Sequence, residues 1–83
     1  MDGIAQLLAL ATAYSEAEGV ERTTLSWRVF GDTKKLDALY DGKDIQVRRY
    51  EKAIGWFEEN WPVDLAWPRG VARPSVMALA RAM

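Results

Sequence analysis

The sequence predicts an all-α fold, a compact bundle of about five helices in a single 83-residue domain. Apolar residues recur at three- and four-residue steps along two long stretches, which is the pattern of helices that bury one face. Glycines and prolines fall between these stretches, where helices usually end. A chain of this length can bury one core without disulfides or metals if its helices are joined by short loops.

The first helix and a long later helix carry the clearest pattern. The first is predicted from Ile4 to Ala17, and the long one from Asp44, its expected N-cap, to Trp61, where Pro62 stops it. The apolar stripe of the first helix comprises Ile4, Leu7, Leu8, Ala11 and Tyr14, widened by Leu10, Ala13 and Ala17. That of the long helix comprises Val47, Tyr50, Ile54, Phe57 and Trp61, with Ala53 and Trp56 beside it.

A glycine turn and a short second helix follow the first helix. Gly19 is expected to end the first helix in a left-handed conformation, and Val20 to enter the core. A new helix then starts within residues 21–23, with Leu25 and Val29, four residues apart, as its inward stripe. We interpret this stretch, through residue 30, as the turn and second helix of a helix-turn-helix.

The stretch between the second helix and the long helix allows two structures. Gly31 can end the second helix, and a short third helix can run from Lys34 to Tyr40. Its inward residues would be Leu36, Leu39 and Tyr40. Alternatively, Asp41-Gly42 forms a hairpin turn between two short strands, which would make a small wing. The helix is favoured because Leu, Lys, Asp and Ala are poor strand formers.

Residues 62–83 are predicted to form an arm followed by a short terminal helix. The arm, residues 62–73, contains two of the three prolines and is expected to be ordered and extended. Trp61 and Trp67 are expected to pack across the helices rather than to form a proline-recognition groove. Pro74 opens the last helix, Ser75 to Arg81, which either covers the domain or pairs with a second copy.

The composition excludes several kinds of chemistry. The chain has no cysteine and no histidine, so disulfides, thiolates and ordinary zinc sites cannot form. Histidine and cysteine, the usual nucleophilic and acid/base groups, are therefore missing, which argues against an enzyme without excluding one that uses carboxylates; no catalytic, metal or cofactor site is expected. No apolar run approaches the length of a membrane span, and the start of the chain lacks the basic residues of a signal peptide. These observations predict a cytoplasmic protein.

The charges are unevenly distributed although the net charge is only −1. Eight of the 11 basic residues but five of the 12 acidic residues lie between Arg22 and Lys52. The middle of the chain is therefore basic and its ends are acidic. Basic residues near the start of the long helix are typical of a site for an anionic partner such as phosphate, although ordinary solvated charge produces the same pattern.

The predicted recognition surface lies on the outward side of the second helix. Arginine, serine and threonine are types that contact base edges and phosphates in the major groove. The residues expected to contact bases are Arg22, Thr23, Ser26 and Trp27. Those expected to contact phosphates are Thr24, Arg28, Lys34, Lys35, Arg48 and Arg49. Trp27 is equally compatible with a half-buried position against neighbouring helices.

Two resemblances point in the same direction. The motif Gly19-Val20-x-x-x-Thr24-Leu25-Ser26 resembles the turn and recognition helix of lactose-repressor-type and phage-repressor-type regulators, and departs from them at Glu18 and Arg28. The whole chain resembles short helix-turn-helix proteins of alphaproteobacteria and their mobile elements. This second resemblance is carried by Val29-Phe30-Gly31-Asp32, Tyr50-Glu51-x-Ala53-Ile54-x-Trp56-Phe57, and Asn60-Trp61-Pro62 through Trp67-Pro68. It implies a small transcriptional regulator of phage or integrated-element genes.

The function expected from the sequence is therefore sequence-specific binding of double-stranded DNA, as a repressor or an architectural accessory factor. A module of this size covers little of the groove, so a homodimer on a two-fold site is expected. The alternative is a protein-interaction module, an antiactivator or inhibitor that keeps a helix-turn-helix-like fold. The acidic isoelectric point and the four tryptophans favour this alternative.

Overall fold

Four helices make up most of the described chain. The structure is a computed structural model that describes residues 3–71. Its helices are α1 (Gly3–Glu18), α2 (Arg22–Phe30), α3 (Lys35–Tyr40) and α4 (Val47–Asn60), and no strand occurs within this range. The all-α prediction is confirmed, and the hairpin alternative at Asp41-Gly42 is wrong. The terminal helix predicted from Ser75 to Arg81 lies outside the described residues.

One hydrophobic core joins all four helices. Helix α1 packs against each of the other three, α2 contacts α3 and α4, and α3 rests on α1 and α2. The buried apolar side chains are Leu7, Leu10, Ala11 and Tyr14 of α1, Leu25 of α2, Leu36 and Leu39 of α3, Ala53, Ile54 and Phe57 of α4, and Val71. All but Val71 sit at the helical spacing that the sequence shows, so the predicted inward faces are largely confirmed.

Aromatic rings fill the end of the core where α1 and α4 finish. The Phe57 ring lies edge-on to Tyr14 and Trp56, with ring centroids 5.9 and 5.2 Å away. Trp61 extends the cluster, with its ring centroid 6.1 Å from that of Phe57 and 4.9 Å from that of Trp67. Such edge-to-face pairs add a small attraction to the burial of the rings.

The segment after α4 is folded into turns rather than extended as predicted. Trp61 ends α4 with extended dihedral angles, as expected for a residue before proline. Its indole Nε1 donates to the carbonyl of Leu65 at 2.8 Å, and the indole of Trp67 donates to that of Val71 at 2.9 Å. Each tryptophan therefore closes a short turn through its polar atom and packs its ring on the core, which confirms the predicted packing role.

The start of α4 differs from the prediction. The helix begins at Val47 with Gln46 as its N-cap, not with Asp44. The Asp44 carboxylate instead accepts a hydrogen bond from the backbone N–H of Ile45 at 3.0 Å. Val47, predicted to be in the core, is 71% exposed. Its spacing matches the inward stripe, but it stands on the first turn, beyond the reach of the neighbouring helices.

Tyr40 also differs from its predicted inward position. It is the last residue of α3 and its side chain is exposed at the surface. Its hydroxyl pairs with the hydroxyl of Thr12 on α1 at 2.6 Å. The ring covers the junction of α1 and α3 from outside, which suits an amphipathic tyrosine better than full burial does.

Candidate nucleic-acid interface

The turn between α1 and α2 has the geometry that the sequence predicts. Gly19 adopts a left-handed conformation with φ of 63°. The backbone N–H of Val20 donates to the carbonyl of Ser15 at 3.1 Å, which is the long hydrogen bond of a Schellman helix ending. Val20 is half-buried against the core. Three residues therefore separate the two helices, and the turn is held both by its backbone and by an apolar anchor.

Helix α2 has a buried face and an exposed face. Leu25 and Ser26 are fully buried, and Val29 packs partly against the core. The exposed side chains are Arg22, Thr23, Thr24, Trp27 and Arg28. Trp27 is 61% exposed, which is unusual for a tryptophan and shows that it is not held under neighbouring helices. Val29 takes the inward position that Arg28 leaves empty, as the departure from the regulator motif implies.

Ser26 is a correction to the predicted interface. Its side chain has no exposed surface. The Oγ donates to the carbonyl of Asp32 and accepts a hydrogen bond from the backbone N–H of Leu36 at 2.9 Å. Both functions of the hydroxyl are used to hold the loop between α2 and α3, so Ser26 cannot contact a base without breaking that loop.

Arg22 is exposed but already has partners. Its Nη1 lies 3.0 Å from Oδ1 of Asp37, and its guanidinium carbon lies 4.0 Å from the centroid of the Tyr40 ring. Both partners belong to α3, so the side chain is directed along the α2–α3 junction. Arg22 could contact a base only by giving up these interactions, and we assign it a structural role in place of the predicted base contact.

A basic groove lies where α2 ends and α4 begins. Its volume is about 380 Å³, and it is lined by Val29, Phe30, Gln46, Arg48, Arg49 and Lys52. Arg49 donates from Nη2 to the carbonyl of Phe30 at 3.3 Å, and its guanidinium lies 5.7 Å from the centroid of the Phe30 ring. The first turn of α4 contains no acidic residue. The groove therefore combines cationic side chains with a positive helix end, an arrangement suited to an anion.

Lys52 completes this groove, although the sequence-based assignment of contact residues omitted it. It follows Arg48 by four residues on α4 and therefore lies on the same side of the helix. That spacing is visible in the sequence and is the signal that identifies it.

Lys34 and Lys35, at the start of α3, do not line the basic groove. Lys34 is exposed before α3, and its backbone N–H donates to the Asp32 carboxylate at 2.8 Å. Lys35 donates from Nζ to the carbonyl of Asp44 at 3.1 Å and, together with Arg49, lines a neighbouring groove of about 520 Å³. The structure therefore brings Lys35 to the start of α4 and leaves Lys34 at the edge of the surface.

An exposed carboxylate flanks α2 at each end. Glu21 is the N-cap residue, and Asp32 lies in the loop beyond Gly31. The exposed face of α2 together with the basic groove forms a surface that we call the α2–α4 face. It comprises Thr23, Thr24, Trp27, Arg28, Arg48, Arg49 and Lys52.

The described residues contain neither a cluster of metal ligands nor a helix that could span a membrane. Between residues 3 and 71, no three acidic side chains come close enough to hold a metal ion together. None of the four helices combines the length and apolar composition that crossing a membrane requires.

The chain matches no family model, no curated protein and no solved structure.

Proposed function

We propose that this protein binds double-stranded DNA through the α2–α4 face and regulates transcription. The observation that carries the proposal is the outer side of α2, where Thr23, Trp27 and Arg28 are exposed on the helix whose last two residues, Val29 and Phe30, line the basic groove. A helix presented after a glycine turn, with polar and aromatic side chains outward, has the dimensions to enter a major groove. The resemblance to mobile-element regulators supports phage or integrated-element genes as its targets.

The side chains divide into two groups under this proposal. Thr23 and Trp27 contact base edges, the indole ring of Trp27 packing on thymine methyl groups. Thr24 and Arg28, with the cations of the basic groove, contact phosphates and fix the position of α2 in the groove. Because Ser26 is buried and Arg22 is paired, fewer groups read bases than the sequence suggests. Phosphate contacts therefore carry a large share of the affinity.

A homodimer on a two-fold DNA site is part of the proposal. A single domain of this size buries little DNA surface, and two copies reading successive half-sites raise both affinity and specificity.

The test is a titration of the full chain into labelled duplex DNA, selected from a random pool, at several salt concentrations. Binding should weaken steeply as salt rises, because each phosphate contact releases counterions. Arg28→Ala should lower the slope of log K against log salt by roughly one for each copy that binds. Arg69→Ala is the matched control, because Arg69 is also exposed, follows α4 in the chain and is not one of the residues of the α2–α4 face. Equal losses in both variants, or no duplex binding at low salt, would contradict the proposal.

A protein partner for the same face is the second candidate, favoured by the 61% exposure of Trp27. Tryptophan is enriched among the residues that dominate protein–protein interfaces. The titration separates the two candidates, because a protein-binding module retards no duplex at any salt concentration.

A further inference from the structure

A second open surface also borders the start of α4. It is a groove of about 580 Å³ between the first turns of α1, the loop after α3 and the first turns of α4. Apolar side chains supply most of its lining, namely Ile4, Leu8, Ile45, Val47 and Tyr50. Val47 is 71% exposed at its edge. A partner that covers this groove would remove the exposed side chain of Val47 from water, which favours association.

The Tyr50 ring, packed against Gly3 of α1, forms the floor of this groove. A Cβ placed on Gly3 would lie 3.3 Å from Cζ of Tyr50, so the absence of a side chain at Gly3 lets the tyrosine ring lie against α1. The Tyr50 phenol is uncharged at neutral pH, and burial raises its pKa further above the ordinary value. The floor therefore offers an apolar ring and a neutral hydroxyl.

The rim of the groove carries one charge of each sign on adjacent residues. Lys43 and Asp44 are both exposed and both border it. In a contact related by a two-fold axis, both copies use the same surface. Each contact therefore occurs twice, with the roles of the two residues exchanged between the copies. A basic and an acidic side chain placed next to each other can then pair crosswise, Lys43 of each copy with Asp44 of the other. The rim is therefore complementary to itself.

We propose that two copies of this chain pair through this groove. The choice of a second copy as the occupant rests on the proposed function, which calls for two recognition helices on one DNA site. Thr23, Trp27 and Arg28 do not line the groove, so pairing leaves the recognition side of α2 free. The groove meets the basic side of α4 at Val47 and Asp44, which also line the groove that holds Lys35 and Arg49.

The first experiment measures the mass of the full chain by sedimentation over a range of concentrations without DNA. The wild-type chain should approach twice the monomer mass, and Val47→Glu should raise the dissociation constant by roughly 100-fold, because a two-fold contact contains the change twice. Val63→Glu is the matched control, because Val63 is fully exposed in the segment after α4. Glutamate is compatible with the first turn of a helix, and circular dichroism will show whether α4 is retained.

The second experiment tests the crosswise pairing. Lys43→Asp and Asp44→Lys should each dissociate the pair alone, because like charges then meet across the axis. Mixed in equal amounts, the two variants should restore a species of twice the monomer mass. A wild-type chain that stays monomeric, a dimer lost in Val63→Glu but kept in Val47→Glu, or a mixture that stays monomeric would overturn the inference. A monomeric chain that binds duplex DNA would reject pairing through the groove and leave the proposed DNA binding intact. A dimer that depends on Val47 but binds no duplex would support the pairing and reject the proposed DNA binding.

Discussion

At the scale of single residues, polar side chains of similar type on α2 have different structural roles. Ser26 and Thr24 are both small hydroxyl residues on the same helix, yet one is fully buried and the other is exposed. Hydrophobic periodicity assigns every polar residue to the outside, so it cannot identify a serine whose hydroxyl ties a loop to a helix. For this reason the sequence assigns Ser26 to the DNA-contacting side. Arg22 is exposed as predicted but is paired with Asp37, and both residues hold α3 in place.

Replacement of Ser26 by alanine should destabilise the fold. The backbone N–H of Leu36 would lose its buried partner, which costs about 1–3 kcal/mol in the free energy of unfolding. Urea denaturation followed by circular dichroism measures this loss. Thr24→Ala on the exposed face should change stability by less than about 0.5 kcal/mol. Equal free energies of unfolding in the two variants would show that the buried hydrogen bonds of Ser26 do not stabilise the fold.

Arg22→Ala should also lower stability, by less than the Ser26 change. The ion pair with Asp37 joins two side chains that are each about half exposed, so it is worth about 0.2–1 kcal/mol, and the contact with Tyr40 adds about 0.5–1 kcal/mol. A double-mutant cycle with Asp37→Ala should give a coupling energy that falls as salt is added. Arg28→Ala should leave stability unchanged while weakening DNA binding. If Arg22→Ala weakened DNA binding without lowering stability while Arg28→Ala lowered stability, Arg22 would be the residue that contacts DNA.

At the scale of helices, the sequence predicts where helices end better than where they begin. Gly19 and Gly31 both have positive φ at the ends of α1 and α2, and Pro62 stops α4, all as expected. The sequence places the N-cap of α4 at Asp44, two residues before the observed N-cap Gln46, because Asp is a common N-cap type. The role of Asp44 as a loop residue depends on contacts from α3. Such contacts are not encoded in local pattern.

Gly55 within α4 and Gly19 in the turn after α1 should respond in opposite ways to replacement by alanine. Gly55 lies inside α4 with ordinary φ, and among the described atoms none lies within 4 Å of an added Cβ. Gly55→Ala should therefore raise stability by about 0.5–1 kcal/mol through reduced entropy of the unfolded chain. Gly19→Ala has equal space but requires a left-handed conformation at φ of 63°, so it should cost about 1–2 kcal/mol. Thermal unfolding of both variants measures the difference, and stabilisation by Gly19→Ala would contradict the turn geometry.

At the scale of the whole molecule, both proposed surfaces depend on one small core. The α2–α4 face and the apolar groove both border the start of α4, and both are positioned by the packing of α4 against α1 and α2. The sequence predicts this core well because helical spacing marks most of its residues. It does not predict the surfaces in the same detail, because they are formed by side chains from separate helices whose relative positions only the fold defines.

Phe57 should therefore be essential for all of these surfaces at once. It is 1% exposed and lies against Tyr14, Trp56 and Trp61. Phe57→Ala should cost about 3–5 kcal/mol, a large part of the roughly 4–12 kcal/mol expected for a domain of this length. Helix content by circular dichroism, tryptophan fluorescence and duplex binding should then be lost in one transition at a lower temperature.

Phe57→Leu keeps most of the buried volume and should retain all three signals. If duplex binding survived in Phe57→Ala after the tryptophan signal had changed, α2 would be stable without the shared core, and the dependence of the α2–α4 face on that core would be disproved.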